Sequence, residues 1–323
     1  MLYVNSTLRT SRSNVSALAN RASGCDCKQC VTHSCGWHLG MESMRQSIEG
    51  GSSATIPMKS TSPLIFFLLV FVLSVPFLVI GALTGLQLLP GIPVAALAFV
   101  CPGLAAVILV YQESRAAGVK ALLRRSFDYR RITSNFWYLP IVLLLPIVSV
   151  LSFGVQRLIG VPVPSPQIVM VPTLGLLLVC FVAALGEELG WSGYAIDPMQ
   201  ERWGALTASL LVGLVWAAWH IVPLVQAHRS LAWIAWWCVG TVALRVVMVW
   251  LYNNTGKSVF AMALLHAMVN VSWQSFPIHG SYFDPRINGL IMLVLATAVT
   301  VAWRPRNLSA APIVEPRNRH AGL

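Results

Sequence analysis

Two adjacent carboxylates, Glu187 and Glu188, stand at the end of an apolar run from Gln167 to Leu185. That run is long enough to cross a bilayer, which takes about 20 residues. A carboxylate at such depth is costly unless it is paired or used, so an intramembrane acid marks a functional site by default. The chain has 11 acidic residues, and these two are the ones inside or bordering a membrane span. Later apolar runs supply partners: His220 in 210–225, then His266 and Asn270 in 258–273. Their i, i+4 spacing puts His266 and Asn270 on one helical face. A carboxylate and an imidazole can share a water and accept its proton. A His and an Asn on one face can donate to a developing oxyanion. Together these groups make a hydrolase. Glu187, His220 and His266 can instead hold a divalent metal such as zinc. No HExxH pair lies on one helix, so the residues leave both options, metal and none, open.

Each residue alone has a plainer role. A single intramembrane His is commonly a packed, hydrogen-bonded side chain, and two Glu at a helix end can snorkel to the interface. Adjacent helical residues sit about 100° apart, so one carboxylate can face a cavity while the other braces it. Arg245, inside the run 232–252, either snorkels or neutralises a glutamate. Trp191, Trp216, Ser192 and Arg245 are assigned to supporting the cavity. Trp216 and Trp219 are expected to line the cavity beside His220, while Trp233, Trp236 and Trp237 read as packing and interface residues.

Composition requires a membrane setting for these groups. Hydrophobic residues make up 56% of the chain and charged residues 10%, against about 25% charge in soluble domains. The net charge of +11 reads as topology signal and contact with anionic lipid, with no nucleic-acid partner. Eight apolar runs are predicted to span: 64–84, 92–111, 136–155, 167–188, 205–226, 232–252, 258–274 and 287–303. They are continuous, not alternating, so the fold class is all-α, a polytopic transmembrane helical bundle. Pro76, Pro102, Pro146 and Pro172 lie within these runs as expected kinks.

Basic residues set the orientation. The connection 112–135 carries Arg115, Lys120, Arg124, Arg125, Arg130 and Arg131, and the C-terminal tail carries Arg304, Arg306, Arg317 and Arg319. The opposite connections carry one base each: Arg157, Arg229 and Arg286. An even number of spans with both termini cytoplasmic satisfies this pattern. It turns the Glu187–Glu188 end of the fourth span towards the cytoplasm.

Three regions are expected: an extension over 1–60, disordered or preceding the true start at Met58; a membrane domain over 61–305; and a cytoplasmic tail over 306–323. The extension holds Cys25, Cys27, Cys30, His33, Cys35 and His38, dense enough for zinc but without a second, well-separated CxxC pair. Cys101, Cys180 and Cys238 lie singly in apolar spans and read as inert buried thiols.

The sequence resembles the CPBP intramembrane proteases, also called the Abi or type II CAAX prenyl protease family, over roughly residues 95–305. The resemblance rests on Glu187-Glu188-Leu189-Gly190-Trp191, on Leu214-Val215-Trp216-Ala217-Ala218-Trp219-His220 and on Leu265-His266-Ala267-Met268-Val269-Asn270. Trp250 to Gly256 and Pro102 to Ala106 are also similar to the family pattern. It implies an endopeptidase of the prokaryotic plasma membrane acting on a membrane-embedded peptide or protein, prenylated in some members. Glu187 would activate water with His220 assisting, His266 and Asn270 would form the oxyanion site, and Glu188 would support. The family's first motif places Arg where this chain has Ser192, and Arg245 is the candidate to compensate. Two other functions fit the composition: a non-catalytic immunity or scaffold protein with the same fold, and a proton-coupled transporter using the Glu/His set as a relay.

Overall fold

The computed structural model describes residues 62–89 and 92–309. These described residues belong to one compact unit. The N-terminal Cys/His cluster, Arg317 and Arg319 lie outside the described residues.

Among the described residues the bundle consists of eight long helices and one short one. α1 spans Pro63–Thr84 and leads into a small hairpin, β1 Gln87–Leu89 with β2 Ile92–Pro93. A 3-10 stretch, Val94–Phe99, opens α2, Val100–Arg124. α3 (Tyr138–Leu158) and α4 (Met170–Gly190) follow, then a π-helical turn at Trp191–Ala195 and the short α5, Ile196–Trp203. α6 (Ala205–Gln226), α7 (Leu231–Asn254), α8 (Val259–Ser275) and α9 (Pro285–Ala302) complete the described helices. Seven of these helices are long and apolar enough to cross a membrane. α8 has 17 residues and is largely enclosed by α3, α4 and α7. The protein is a polytopic integral membrane protein, as the runs predict.

Two spans run past their predicted ends, the first of them α2, which reaches Arg124 where the sequence reading stopped at 111. The fourth span does not end at the glutamates. Helical structure continues from Met170 to Trp203 over 34 residues, and Glu187 and Glu188 lie in its interior. Apolar periodicity cannot register this, because a π turn keeps the chain helical while the composition becomes polar. The prolines also divide. Pro76 and Pro146 sit inside helices. Pro172 falls in the first turn of α4, where the missing N–H has no helical acceptor to lose, and Pro102 sits just after the 3-10 stretch that opens α2.

Small residues bring α2 and α4 together. A Cβ on Gly103 would stand 2.6 Å from the Gly186 carbonyl oxygen, and one on Gly190 would stand 2.4 Å from that of Pro102. Gly186 and Gly190 are four apart, so they share a face on which backbones meet. Towards the other end of α4, Leu174, Leu178 and Val182 are exposed.

The entry of α8 is fixed by charge. Asp128, from the basic connection, accepts hydrogen bonds from Ser258 Oγ at 2.8 Å, Phe260 N at 3.0 Å and Val259 N at 3.3 Å. Ser258 Oγ in turn caps Ala261 N. Arg125 joins the same connection to the π turn by donating to Gly193 O at 2.7 Å, and to α7 through Tyr252 Oη at 2.6 Å. The loop that carries the orientation signal therefore also ties together the helices of the candidate site.

Gly190→Ala and Gly103→Ala should each destabilise the bundle by about 1–3 kcal/mol, the usual cost of overpacking. Thermal melting in detergent checks this. Melting curves that superimpose on wild type would contradict a backbone-to-backbone contact between α2 and α4.

Candidate active site

α4 delivers two carboxylates with different surroundings. Glu188 is fully buried and Glu187 is 6% exposed. Interface snorkelling is thereby overturned for both. The 100° turn between neighbours points Glu188 into the α4–α7–α8 contact and Glu187 towards a cavity.

Every Glu188 oxygen is occupied. Arg245, on α7 and 1% exposed, forks onto it, with Nη1 to Oε2 at 3.0 Å and Nη2 to Oε1 at 3.1 Å. His266 Nδ1 meets Oε1 at 3.0 Å, and the Ser192 hydroxyl donates to Oε2. Arg245 is therefore not a snorkelling residue; it neutralises a glutamate. Ser192 falls one turn after Glu188, and the guanidinium expected at its position arrives from α7.

Glu187 is held by indoles. Its Oε2 accepts from Trp216 Nε1 at 2.8 Å and from Trp191 Nε1 at 3.4 Å. Its Oε1 lies 4.0 Å from His266 Nε2, too far for a direct hydrogen bond. Trp216 presents its face to Arg245, whose Cζ is 4.2 Å from the ring centroid. Its ring meets His266 and His220 edge-on, with centroids 5.3 Å and 5.5 Å apart.

His220 Nδ1 lies 2.8 Å from the Trp216 carbonyl one turn earlier. A carbonyl only accepts, so Nδ1 carries the hydrogen and neutral His220 keeps its lone pair on Nε2. Trp219 and Trp237 pack on the ring at 4.8 Å and 5.1 Å. Trp219 is itself tied to α1 by Nε1 to Ser74 Oγ at 2.8 Å. Ser74 is not singled out from sequence, and Trp237 is read there only as a packing and interface residue. Nothing distinguishes one membrane Trp or Ser from another until its neighbour is known.

Glu187, Trp216, His220, His266 and Asn270 line one cavity of about 780 Å³. It runs to the end of the bundle formed by the β hairpin, the α6–α7 turn and the start of α9, with Leu88, Arg229, Trp233 and Pro285 in its wall. Its lining is otherwise mainly apolar, as ligand sites commonly are.

A metal at Glu187, His220 and His266 was one sequence option. Among the described residues no group of three or more His, Cys, Asp or Glu side chains is arranged to hold a metal ion. Glu188 and His266 Nδ1 are committed to each other, and Glu187 Oε2 to two indoles. No reaction step is derived through a metal here. Of the three described thiols, Cys101 is buried and Cys180 and Cys238 are half-buried, less enclosed than the sequence reading assumed.

The buried Glu–His cluster thus lies beside an apolar cavity inside a multi-span helical bundle. A family model for Rce1-like type II CAAX prenyl endopeptidases matches residues 169–272, the segment that holds all three motifs. A curated relative, CAAX prenyl protease 2 of Methanococcus maripaludis, is 26% identical over 265 residues, covering 74% of this chain and 93% of the relative. The resemblance to the type II CAAX prenyl protease family is borne out.

Breaking the buried pair should be costly. Arg245→Gln should lose about 3–5 kcal/mol, because it strands a buried carboxylate. The double variant Arg245→Met with Glu188→Leu should lose less than the two single changes summed. Denaturation of the four proteins in one detergent measures the coupling, and strict additivity would contradict the pairing.

Proposed function

We propose that the protein is an intramembrane endopeptidase that hydrolyses a peptide bond with water activated by Glu187 and His220. The observation that carries this reading is the division of labour between the glutamates: Glu188 is saturated by Arg245, Ser192 and His266, while Glu187 faces the cavity. The family match supports the protease class. The role of each residue is our assignment.

In this mechanism Glu187 Oε1 accepts a proton from the attacking water, and His220 Nε2 orients that water through its lone pair. The water oxygen bonds to the carbonyl carbon, and the carbonyl oxygen becomes an oxyanion. His266 Nε2 and Asn270 Nδ2 donate to that oxygen. With Nδ1 facing a carboxylate, a donating Nε2 makes His266 an imidazolium, and Glu188 supplies the opposite charge beside it. The C–N bond then breaks, and the proton held by Glu187 passes to the departing amine. One water is consumed and both carboxylates return to their starting state. Exclusion of bulk water strengthens each of these charge interactions.

Arg245 takes the place of the cation that the family pattern has at position 192. It acts through Glu188 and His266, as a positioning residue. The substrate class is a membrane-embedded peptide or protein, one choice being a prenylated C-terminal segment. We assign the end of the bundle that carries the basic connection, with both termini, to the cytoplasmic side of a prokaryotic plasma membrane, a reading the excess of basic residues there supports for orientation. On that orientation the hairpin end of the cavity is the outer one. A scaffold or proton-relay role would require no fixed water-activating pair, and the tight indole clamp on Glu187 favours the hydrolase.

Glu187→Ala and His220→Ala should each abolish cleavage while leaving a folded protein in the membrane. New peptide termini are to be compared between membranes lacking the gene, restored with wild type, and restored with Glu187→Ala. Identical termini from wild type and Glu187→Ala, under conditions where the protein has a measurable effect, would refute the assignment. Arg245→Gln should lower turnover and Ser192→Arg should restore part of it. Full turnover by Arg245→Gln would remove Arg245 from the positioning role.

A further inference from the structure

α1 is mostly exposed, and its buried residues are Phe66, Val70, Ser74 and Gly81. The first three recur every four residues, so they form one stripe along the helix. Ser74 is fully buried and is the only polar side chain on α1 before Thr84. Its hydroxyl donates back to Val70 O at 2.8 Å, as a serine in a membrane helix commonly does. What it offers to other helices is therefore a lone pair. Trp219 Nε1, from α6, donates to that lone pair at 2.8 Å.

Three indoles surround Glu187 and His220. Trp191 and Trp216 give their N–H groups to Glu187, whereas Trp219 sends its N–H away from the pair, to α1. The Trp219 ring stands edge-on to His220, with centroids 4.8 Å apart and planes at 86°. The Nδ1 contact with the Trp216 carbonyl fixes one end of the imidazole, and the Trp219 edge limits how far Nε2 can swing about it. Phe66 packs edge-on against Trp191 at 5.5 Å, and Trp191 against Trp219 at 6.1 Å. α1 thus backs both the indole that helps hold the base and the indole that sets the imidazole. Packing alone would be met by Ala at position 74 and Phe at position 219. The hydroxyl and the N–H belong together, because a buried N–H stripped of its acceptor must turn to find another. The ring that such a turn disturbs is that of His220.

We propose that Ser74 is a positioning residue for the water-activating pair: α1, which lies outside the segment matched by the family model, fixes the His220 imidazole through Trp219. The effect on turnover rests on the endopeptidase reading, and the test separates the two.

The test uses the full-length protein in lipid nanodiscs, with histidine isotopically labelled in its ring nitrogens and the His220 signals assigned through His220→Gln. Ser74→Ala should move the His220 ring signals in the NMR spectrum and leave those of His279, in the α8–α9 connection, in place. Turnover is measured on a synthetic peptide spanning the bond located by the comparison of membrane termini, below the melting temperature of every variant. For Ser74→Ala, kcat should fall about tenfold with KM changed by less than about twofold, because a small misplacement of a reacting group costs rate before it costs binding. Trp219→Phe should do the same, and the double variant should lose no more than either single change. Ser74→Thr, which keeps the oxygen, should retain most of the turnover. Unmoved His220 signals in Ser74→Ala overturn the proposal, as does a shift of those signals without loss of kcat. Losses that multiply in the double variant, or equal losses in Ser74→Ala and Ser74→Thr, would trace the effect to the packing of α1 and overturn it as well. A shift of the His220 signals in a protein whose membrane termini show no cleavage would sink the endopeptidase reading and leave the placement of His220 by α1 standing.

Discussion

The structure depends on how one charge is buried. Glu188 sits in the interior of a membrane bundle with no exposed surface, where an isolated carboxylate is strongly disfavoured. Attraction to Arg245 offsets desolvation only if the remaining lone pairs are also satisfied. They are: the guanidinium fork, one imidazole nitrogen and one hydroxyl converge on two oxygens. These donors come from α7, α8 and the π turn after α4. Satisfying the charge therefore fixes three segments of the bundle at one point, and the neighbouring Glu187 is aimed as a by-product.

Trp216 extends that point into the cavity. Its N–H holds Glu187, its face meets Arg245 and its edges contact both imidazoles. One rigid indole thus links the charge that is buried to the charge that is presented. An aromatic that both packs and donates is economical in a low-dielectric interior, because every other donor there would itself need solvation. The motif Trp216 to His220 reads accordingly as a unit, in which the carbonyl of its first residue fixes the hydrogen on the imidazole of its last.

Much of this was legible in the chain because membranes punish exceptions. Polar groups in apolar runs are few, so Glu187, Glu188, His220, Arg245, His266 and Asn270 stood out without any neighbour being known. The helical bundle followed from run length. What the sequence did not carry was direction. It could not say whether Arg245 ran to the interface or into the core, because a helix 24 residues long offers both. Nor could it assign which glutamate is saturated, since adjacent residues differ only by rotation. The continuation of α4 past the glutamates was missed for a related reason: residues 189–203 are mixed in polarity, and mixed polarity reads as a loop unless a partner such as Tyr252 or Asn253 is seen to bond Asp197 and Gln200.

The π turn at Trp191–Ala195 separates two angular frames. Upstream, the rotation of α4 is set by Glu188 and the glycine contact with α2. Downstream, the rotation of α5 is set by Asp197 and Gln200 against the end of α7. One residue more or fewer between them turns either frame by about 100° relative to the other. Substitutions in the segment leave both frames aligned, whereas a change of length cannot. Across evolutionary time this buried stretch should therefore resist insertions and deletions, on top of whatever its side-chain contacts demand.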